Sequence, residues 1–338
     1  MGLDEKSAVV LAQYDVSIRG YYRQKGAGFL ETEQGLLMLR GREVKEGRAV
    51  WEEEVKKQIV AQGFSLVDIG VPNREGRYVT EGDYGETFLL RHWKQGEEMD
   101  LRLSEHRLRA VETLARLHRA MRGLPVRSEY IRESTKEIFE KRIREMRRLA
   151  TYLYKRKQKN PFELKLLELL PVYLKKAEAA LSCLLAGDWQ QVHREAEEQG
   201  VGCHGNYGNH SLLLLDGGRV FVGNFEHAGI GPQAEDIYYL LRKSLEKNGW
   251  DEEIYTQMLS AYQKERPLPR QELRLLLCLL LFPEKFYRVC NQYFNARKAW
   301  IPAKNAQKLM LVLEQQEPKS RFDEKINKLL ACPGLFML

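Results

Sequence analysis

The sequence predicts an α+β chain with two unlike parts, a small antiparallel sheet carrying one helix and then a mainly helical remainder. Three observations carry this. Short hydrophobic runs separated by Gly-containing turns fill the region up to Trp93. Apolar residues at helical spacing fill almost everything beyond Gly96. One pair of short strands, around Asp216-Gly217-Gly218, interrupts those helices. The division expected is residues 1–96 for the sheet part and 97–338 for the helical part.

In chain order, Phe29–Thr32 and Leu36–Arg40 flank Glu33-Gln34-Gly35 and read as a hairpin. From Arg48 to Gln62 the period becomes helical, with Trp51, Val55 and Ile59 on one face and Gly63 placed to end the helix. Arg77–Thr80 and Glu86–Trp93 form a second hairpin across Gly82-Asp83. Ser104 is placed to cap a helix whose face carries Leu108, Val111, Ala115 and His118 and which stops at Gly123-Leu124-Pro125. Helices are then expected over Ser134–Lys157, Pro161–Leu185, Asp188–Gln199, Ala234–Lys247, Asp251–Lys264, Arg270–Asn295, Lys304–Glu314 and Asp323–Ala331, with strands at Leu212–Asp216 and Arg219–Asn224.

Composition narrows the class. The 338 residues allow two lobes with their own cores, and 43% hydrophobic with 30% charged residues is ordinary for a soluble globular protein. The net charge of +7 permits an anionic partner without naming one. The longest apolar run, Leu275–Phe282, is too short to span a bilayer and reads as a buried helix. The acidic and polar start, Met1 to Lys6, lacks a secretory signal pattern. Five widely spaced cysteines (Cys183, Cys203, Cys278, Cys290, Cys332) without a Cys-x-x-Cys pair argue against a disulfide framework or a zinc site, and for a reducing place of synthesis.

The most informative stretch is Cys203-His204-Gly205-Asn206-Tyr207-Gly208-Asn209-His210-Ser211, followed by four leucines. Beyond it lie Phe221-Val222-Gly223-Asn224-Phe225-Glu226, then Gly229-Ile230-Gly231-Pro232 leading into Glu235-Asp236-Ile237-Tyr238-Tyr239-Leu240-Leu241-Arg242-Lys243. Together with Leu-Ala-Arg-Leu-His-Arg-Ala at 114–120 and Gly35–Arg40, this resembles the CotS-type family of spore-coat proteins, which share a bilobal protein-kinase-like fold of the aminoglycoside-phosphotransferase type. The resemblance runs from about residue 10 to about residue 300 and is strongest in its second half.

In such enzymes a His-Gly-Asp, four residues and an Asn supply the proton acceptor and a metal ligand, and a later Asp holds metal. Here Asn206 stands at the base position, Ser211 at the loop's metal position and Asn224 at the metal Asp, while the phosphate-pairing Lys falls on Arg40. A carboxamide is no base at neutral pH, and Mg²⁺ prefers carboxylates plus phosphate oxygens. Arg for Lys exchanges a compact ammonium for a planar fork. The resemblance therefore implies a CotS-like spore-coat-associated pseudokinase, made in the cytoplasm and incorporated in the coat. Its expected partners are other coat proteins and a nucleotide, with ATP and Mg²⁺ as weak cofactors. The alternative is an active ATP-dependent phosphotransferase with an atypical metal site built on Glu226, the acid nearest the vacated position.

Other residues are weighed beside these. Glu226 otherwise reads as a surface or helix-approach carboxylate. His204 is expected to be a satisfied structural histidine tying down the loop, and Asp236 to brace the loop backbone. His210 and His227 read as solvent-facing, and no metal-ligand set is assigned. Glu52 or Glu53 is a candidate partner for Arg40, against a solvated acidic helix start. The basic and aromatic stretch Lys141–Lys157 has the composition of a nucleic-acid surface but no recognised module around it. It reads rather as a solvated amphipathic helix, or a contact for an acidic neighbour.

Overall fold

A computed structural model of the protein describes residues 4–295 and 303–331; Cys332 lies outside them. The chain opens with a helix absent from the sequence-based expectation, α1 (Glu5–Leu11), capped by Asp4, whose carboxylate accepts from Ser7 N at 2.9 Å. Strands β1 (Ile18–Gln24), β2 (Ala27–Thr32) and β3 (Gly35–Gly41) form an antiparallel meander, and α2 (Glu46–Ala61) follows. Then come β4 (Gly70–Val71), β5 (Val79–Glu81) and β6 (Thr87–His92). The sheet order is β1-β2-β3-β6-β4, with β5 also paired to β6. The register sets Met38 opposite Arg91 and Arg40 opposite Leu89.

The two faces of this sheet have different neighbours. Leu30, Leu37, Leu39 and Leu90 pack against Val10, Leu11 and Tyr14 of the α1 segment. The opposite face, with Ala27, Phe29 and Met38, is a small separate cluster beside Trp93. Helix α2 sends Trp51, Val55 and Ile59, all fully buried, into the core of the helical lobe. Trp51 Nε1 donates to Pro125 O at 3.0 Å, and Gln58 Nε2 donates to the carbonyls of Arg122 and Gly123 at 3.1 and 2.9 Å. The helix of the small lobe is therefore anchored to the large one.

Past the connection at 93–96, β7 (Glu97–Glu98) leads into α3 (Ser104–Ala120), α4 (Thr135–Lys155), α5 (Pro161–Leu185) and α6 (Trp189–Glu198). Ser104 is the first helical residue rather than the cap, a place taken by Leu103 without a side-chain bond. Ser134 and Asn160 each close a capping box with a Glu three residues on. Pro171 sits inside α5 on its exposed side, where it donates no helix hydrogen bond.

Two short pairs lie at the heart of this lobe: β8 (Gly202–Cys203) with β11 (Gly229–Ile230), and β9 (Leu212–Leu214) with β10 (Val220–Val222). β7 adds to β9, tying the connection to the floor of the cleft. Helices α7 (Ala234–Lys247), α8 (Glu252–Glu265), α9 (Arg270–Leu281), α10 (Glu284–Phe294), α11 (Ala303–Glu314) and α12 (Gln316–Ala331) complete it.

The single helix expected over Arg270–Asn295 is two. Pro283 has no N–H to continue α9 and holds Phe282 extended at ψ 133°, so the chain turns there. Helix α12 begins seven residues before the expected Asp323, because Pro318 falls within its first turn, where a missing N–H costs nothing. Among the described residues no helix is long and apolar enough to cross a membrane.

Candidate functional site

Between the lobes lies an open cleft of about 470 Å³. Its roof is the lower face of the sheet, where Tyr22 and Phe29 stack with ring centres 5.2 Å apart beside Met38. Lys94, Gln95 and Gly96 of the connection form its edge, and Leu213 of β9 its floor. Trp93 joins roof to floor, edge-on to Phe29 and to Phe221 at 6.4 and 5.0 Å. Arg40, Asn224 and His210 also line it. The fold thus brings Arg40 of β3 and Asn224, 184 positions apart, to one corner, with Arg40 Nη1 donating to Asn224 Oδ1 at 2.8 Å.

Asn224 is held at its backbone N–H and at both polar atoms of its side chain. Its backbone is left-handed (φ 65°, ψ 53°), a conformation that asparagine tolerates better than most residues. Its N–H donates to Asp68 Oδ2 at 2.9 Å, and its Nδ2 to His210 O at 2.9 Å. Arg40 can only donate and a carbonyl can only accept, so the orientation of the amide follows from its partners. Ser211, buried, turns its hydroxyl onto Asn206 O at 3.1 Å.

Glu226 is neither a solvated carboxylate nor an unattached one. Its side chain is 14% exposed, with one oxygen 3.7 Å from Arg40 and the other 3.7 Å from Arg91. Burial pushes its pKa up, but the Arg91, Arg42 and Arg40 guanidiniums prevail and hold it below the ordinary glutamate value. Glu52 and Glu53 do not reach Arg40. Glu52 pairs with Arg91 at 2.7 Å, Arg42 at 3.3 Å and Lys56 at 3.4 Å, and Glu53 pairs with Lys56 and accepts from Gly70 N at 2.8 Å. The reason is register. Arg91 on the neighbouring strand points at α2 and takes the acid considered for Arg40, with Asp68 as its second partner at 3.0 Å. Among the described residues no group of three or more His, Cys, Asp or Glu side chains is arranged to hold a metal.

Behind the 203–211 loop the geometry is different in kind. Asp236, at the start of α7 and 1% exposed, accepts from His204 N at 2.6 Å and Gly205 N at 2.8 Å. His118 Nε2 adds a third donor at 3.2 Å. Burial holds His118 neutral, which leaves Nδ1 to accept from the Tyr262 hydroxyl at 2.7 Å, and Arg266 donates to that hydroxyl at 3.2 Å. The His204 ring donates Nε2–H to Gly223 O at 3.0 Å and accepts from Asn206 N at 3.3 Å, so it fastens the loop to β10's end. Gly205 (φ +78°) admits no side chain, since a Cβ would lie 2.0 Å from His227 O.

Asn206 does not line the cleft with Arg40 and Asn224. It sits half-buried in the wall of a second cavity, beyond the loop. His210 and His227 are exposed, in line with the sequence reading. Of the basic stretch, Arg142 is drawn inward to Glu284 and Arg147 pairs with Glu178 at 2.7 Å, while Tyr154 stands 79% exposed. Sequence reasoning did not identify His118, Tyr262, Asp68 or Arg91 as partners of the site. Only His118 carried a signal, lying in the 114–120 motif.

Comparison with known proteins agrees with this geometry. A family model described as "Spore coat putative kinase YutH" matches residues 7–326. Spore coat protein S of Bacillus subtilis (strain 168) is 21% identical over 310 residues, covering 89% of this chain and 86% of that protein. The crystal structure of an aminoglycoside phosphotransferase from Alicyclobacillus acidocaldarius superposes with a TM-score of 0.85 at 20% identity, over 98% of each chain. Spectinomycin phosphotransferase in complex with ADP and spectinomycin does so with 0.63 at 8% identity, over 97% of each. At these identities the structural matches establish the bilobal phosphotransferase fold.

Proposed function

The chain belongs to the spore coat putative kinase YutH family, and from that premise we propose that it works as a spore-coat-associated pseudokinase. In this reading it is a structural or assembly component, made in the cytoplasm and incorporated in the coat, that keeps a nucleotide cleft without efficient phosphoryl transfer. The observation that supports it most is the corner at Asn224. A carboxamide clipped between Arg40 and the His210 carbonyl replaces a carboxylate, and the acids beside it are already engaged, Glu226 between guanidiniums and Asp68 with Arg91 and the Asn224 N–H. A divalent cation there would find a neutral ligand and a carboxylate already neutralised. The alternative, an active phosphotransferase with metal on Glu226, requires that side chain to leave both Arg40 and Arg91.

In the same reading Arg40, Ser211, Asn224 and Glu226 occupy degenerate nucleotide and metal positions, and Asn206 the vestigial base position. His204 and Asp236 are structural, and the lobes divide at 96/97. Other coat proteins are the proposed partners, with ATP a weak ligand. Thermal unfolding with ATP, with and without Mg²⁺, tests the reading, because a ligand that binds only the folded state raises the midpoint. The expected result is a small ATP shift that Mg²⁺ changes by no more than about 1 °C. A large stabilisation appearing only with Mg²⁺ overturns it.

A further inference from the structure

The second cavity, of about 290 Å³, opens on the far side of the loop and, among the described residues, shares no lining residue with the cleft. Its wall carries Arg132, Arg142, Arg242 and Arg288, with Tyr238 and Asn206 between them. Four carboxylates, Glu235, Asp236, Glu284 and Glu246, match these guanidiniums in number but leave some of their donors unused. Arg132 has Glu235 at 2.8 Å to itself, but Arg142 and Arg288 share the single carboxylate of Glu284. Asp236, also in the wall, is engaged by His118 and two backbone N–H groups.

Arg242 is 2% exposed and gives Nη1 to Glu246 at 2.6 Å, while its Nε and Nη2 have no hydrogen-bond partner among the described residues. The Tyr238 hydroxyl is also buried without a partner among them. The Arg242 guanidinium lies 5.6 Å from the ring centres of both Tyr238 and Tyr239, within cation–π reach of each. Idle buried donors in the wall of a cavity carry a desolvation cost that an incoming acceptor relieves. Guanidinium forks match the oxygens of carboxylate and phosphate.

We infer that this cavity is a binding site for a small organic oxyanion, a carboxylate or phosphate on an apolar or aromatic body. The oxyanion is held by Arg142, Arg242, Arg288 and the Tyr238 hydroxyl, after a small side-chain rotation that brings the idle donors to the cavity. The body rests on Phe139 and Leu279, which also line the wall. The inference goes beyond the proposed pseudokinase role and does not depend on it, since it invokes neither nucleotide nor Mg²⁺.

Calorimetric titration of the full chain in nucleotide-free, Mg²⁺-free buffer tests it, with phenyl phosphate and benzoate as anionic probes and benzyl alcohol as the neutral one. The expected result is binding of at least one anion, about tenfold or more tighter than the alcohol, with the two anions distinguishing phosphate from carboxylate recognition. Arg288→Gln, whose side chain is 45% exposed, should weaken the anion about tenfold while leaving the unfolding midpoint in place. Arg242→Lys, which keeps the charge and removes the fork, should weaken it as well. Saturating ADP should leave the anion's affinity unchanged. Binding of neither anion, equal binding of the alcohol, indifference to both substitutions, or competition by ADP overturns the inference.

Discussion

The back and the front of the 203–211 loop are built on opposite terms. Behind it, one buried carboxylate, Asp236, collects two backbone N–H groups and a neutral histidine, and every donor in that set finds an acceptor. In front of it, the corner expected to hold metal carboxylates holds a carboxamide and arginines, and the nearby acids, Glu226 and Asp68, are spent on ion pairs. Holding a loop in shape and loading it with reactive groups are therefore separable demands. The first needs donors and acceptors matched within the protein. The second needs carboxylates left unmatched so that they can meet an ion or a proton.

The comparison is broken most directly from the back. Asp236→Ala leaves three buried donors without an acceptor and should destabilise the fold by about 3 kcal/mol or more, whereas Asn206→Ala should cost less than about 1 kcal/mol. Urea unfolding of the two variants decides it. A larger loss for Asn206→Ala would reverse the assignment of back and front.

A somewhat smaller effect is expected at the front, where the charges are stabilised by one another. Burial pushes the Glu52 carboxyl up, but Arg91, Lys56 and Arg42 outweigh it and hold its pKa at about 2. A depressed carboxylate pKa contributes stability that is fully present above the unfolded value and is lost as pH falls through the folded one. From about pH 4.5 down to about 2, the parent should therefore lose on the order of 2–3 kcal/mol from this group alone. The stability gap between parent and Glu52→Gln, measured by urea midpoints, should narrow over that interval. A gap independent of pH would show that Glu52 is not held by its ion pairs.

The smallest expected effect sharpens the comparison by restoring what the front lacks. Asn206→Asp, Ser211→Asn and Asn224→Asp together should raise Mg²⁺-dependent ATP affinity by about tenfold, and each alone should do little, because groups acting as a unit are not additive. Arg40 donates to residue 224 at 2.8 Å and would pair with the new carboxylate, so adding Arg40→Lys should raise the affinity further. Calorimetric titration reads both steps. A folded triple variant without any gain would mean that the front is limited by something other than its missing carboxylates.

Several elements were legible because their signals are local. Trp51, Val55 and Ile59 recur at helical spacing and are all fully buried. Helices α4 and α5 begin within one residue of the expected Ser134 and Pro161. Gly35 at φ +101° closes the first hairpin, a conformation that suits glycine. The misses have local causes too. Helix α1 is only seven residues long and needs the sheet to cover Val10 and Leu11, so it shows little periodicity. Pro283 was outweighed by an apolar run on one side and an amphipathic run on the other.

The sequence by itself determined the order of sheet and helices, the loop spacing that marks the family, and which chemical groups stand at Asn206, Ser211 and Asn224. Residue identity and short-range periodicity are properties of the chain, and no packing alters them. Only the tertiary structure decided whom the charges serve. It set Arg91 rather than Arg40 on Glu52, enclosed Glu226 between guanidiniums, joined His118 to Asp236, and left two donors of Arg242 idle beside a cavity. Those pairings join residues up to 186 positions apart. A charge's partner depends on distance and burial in space, and neither can be read from spacing along the chain.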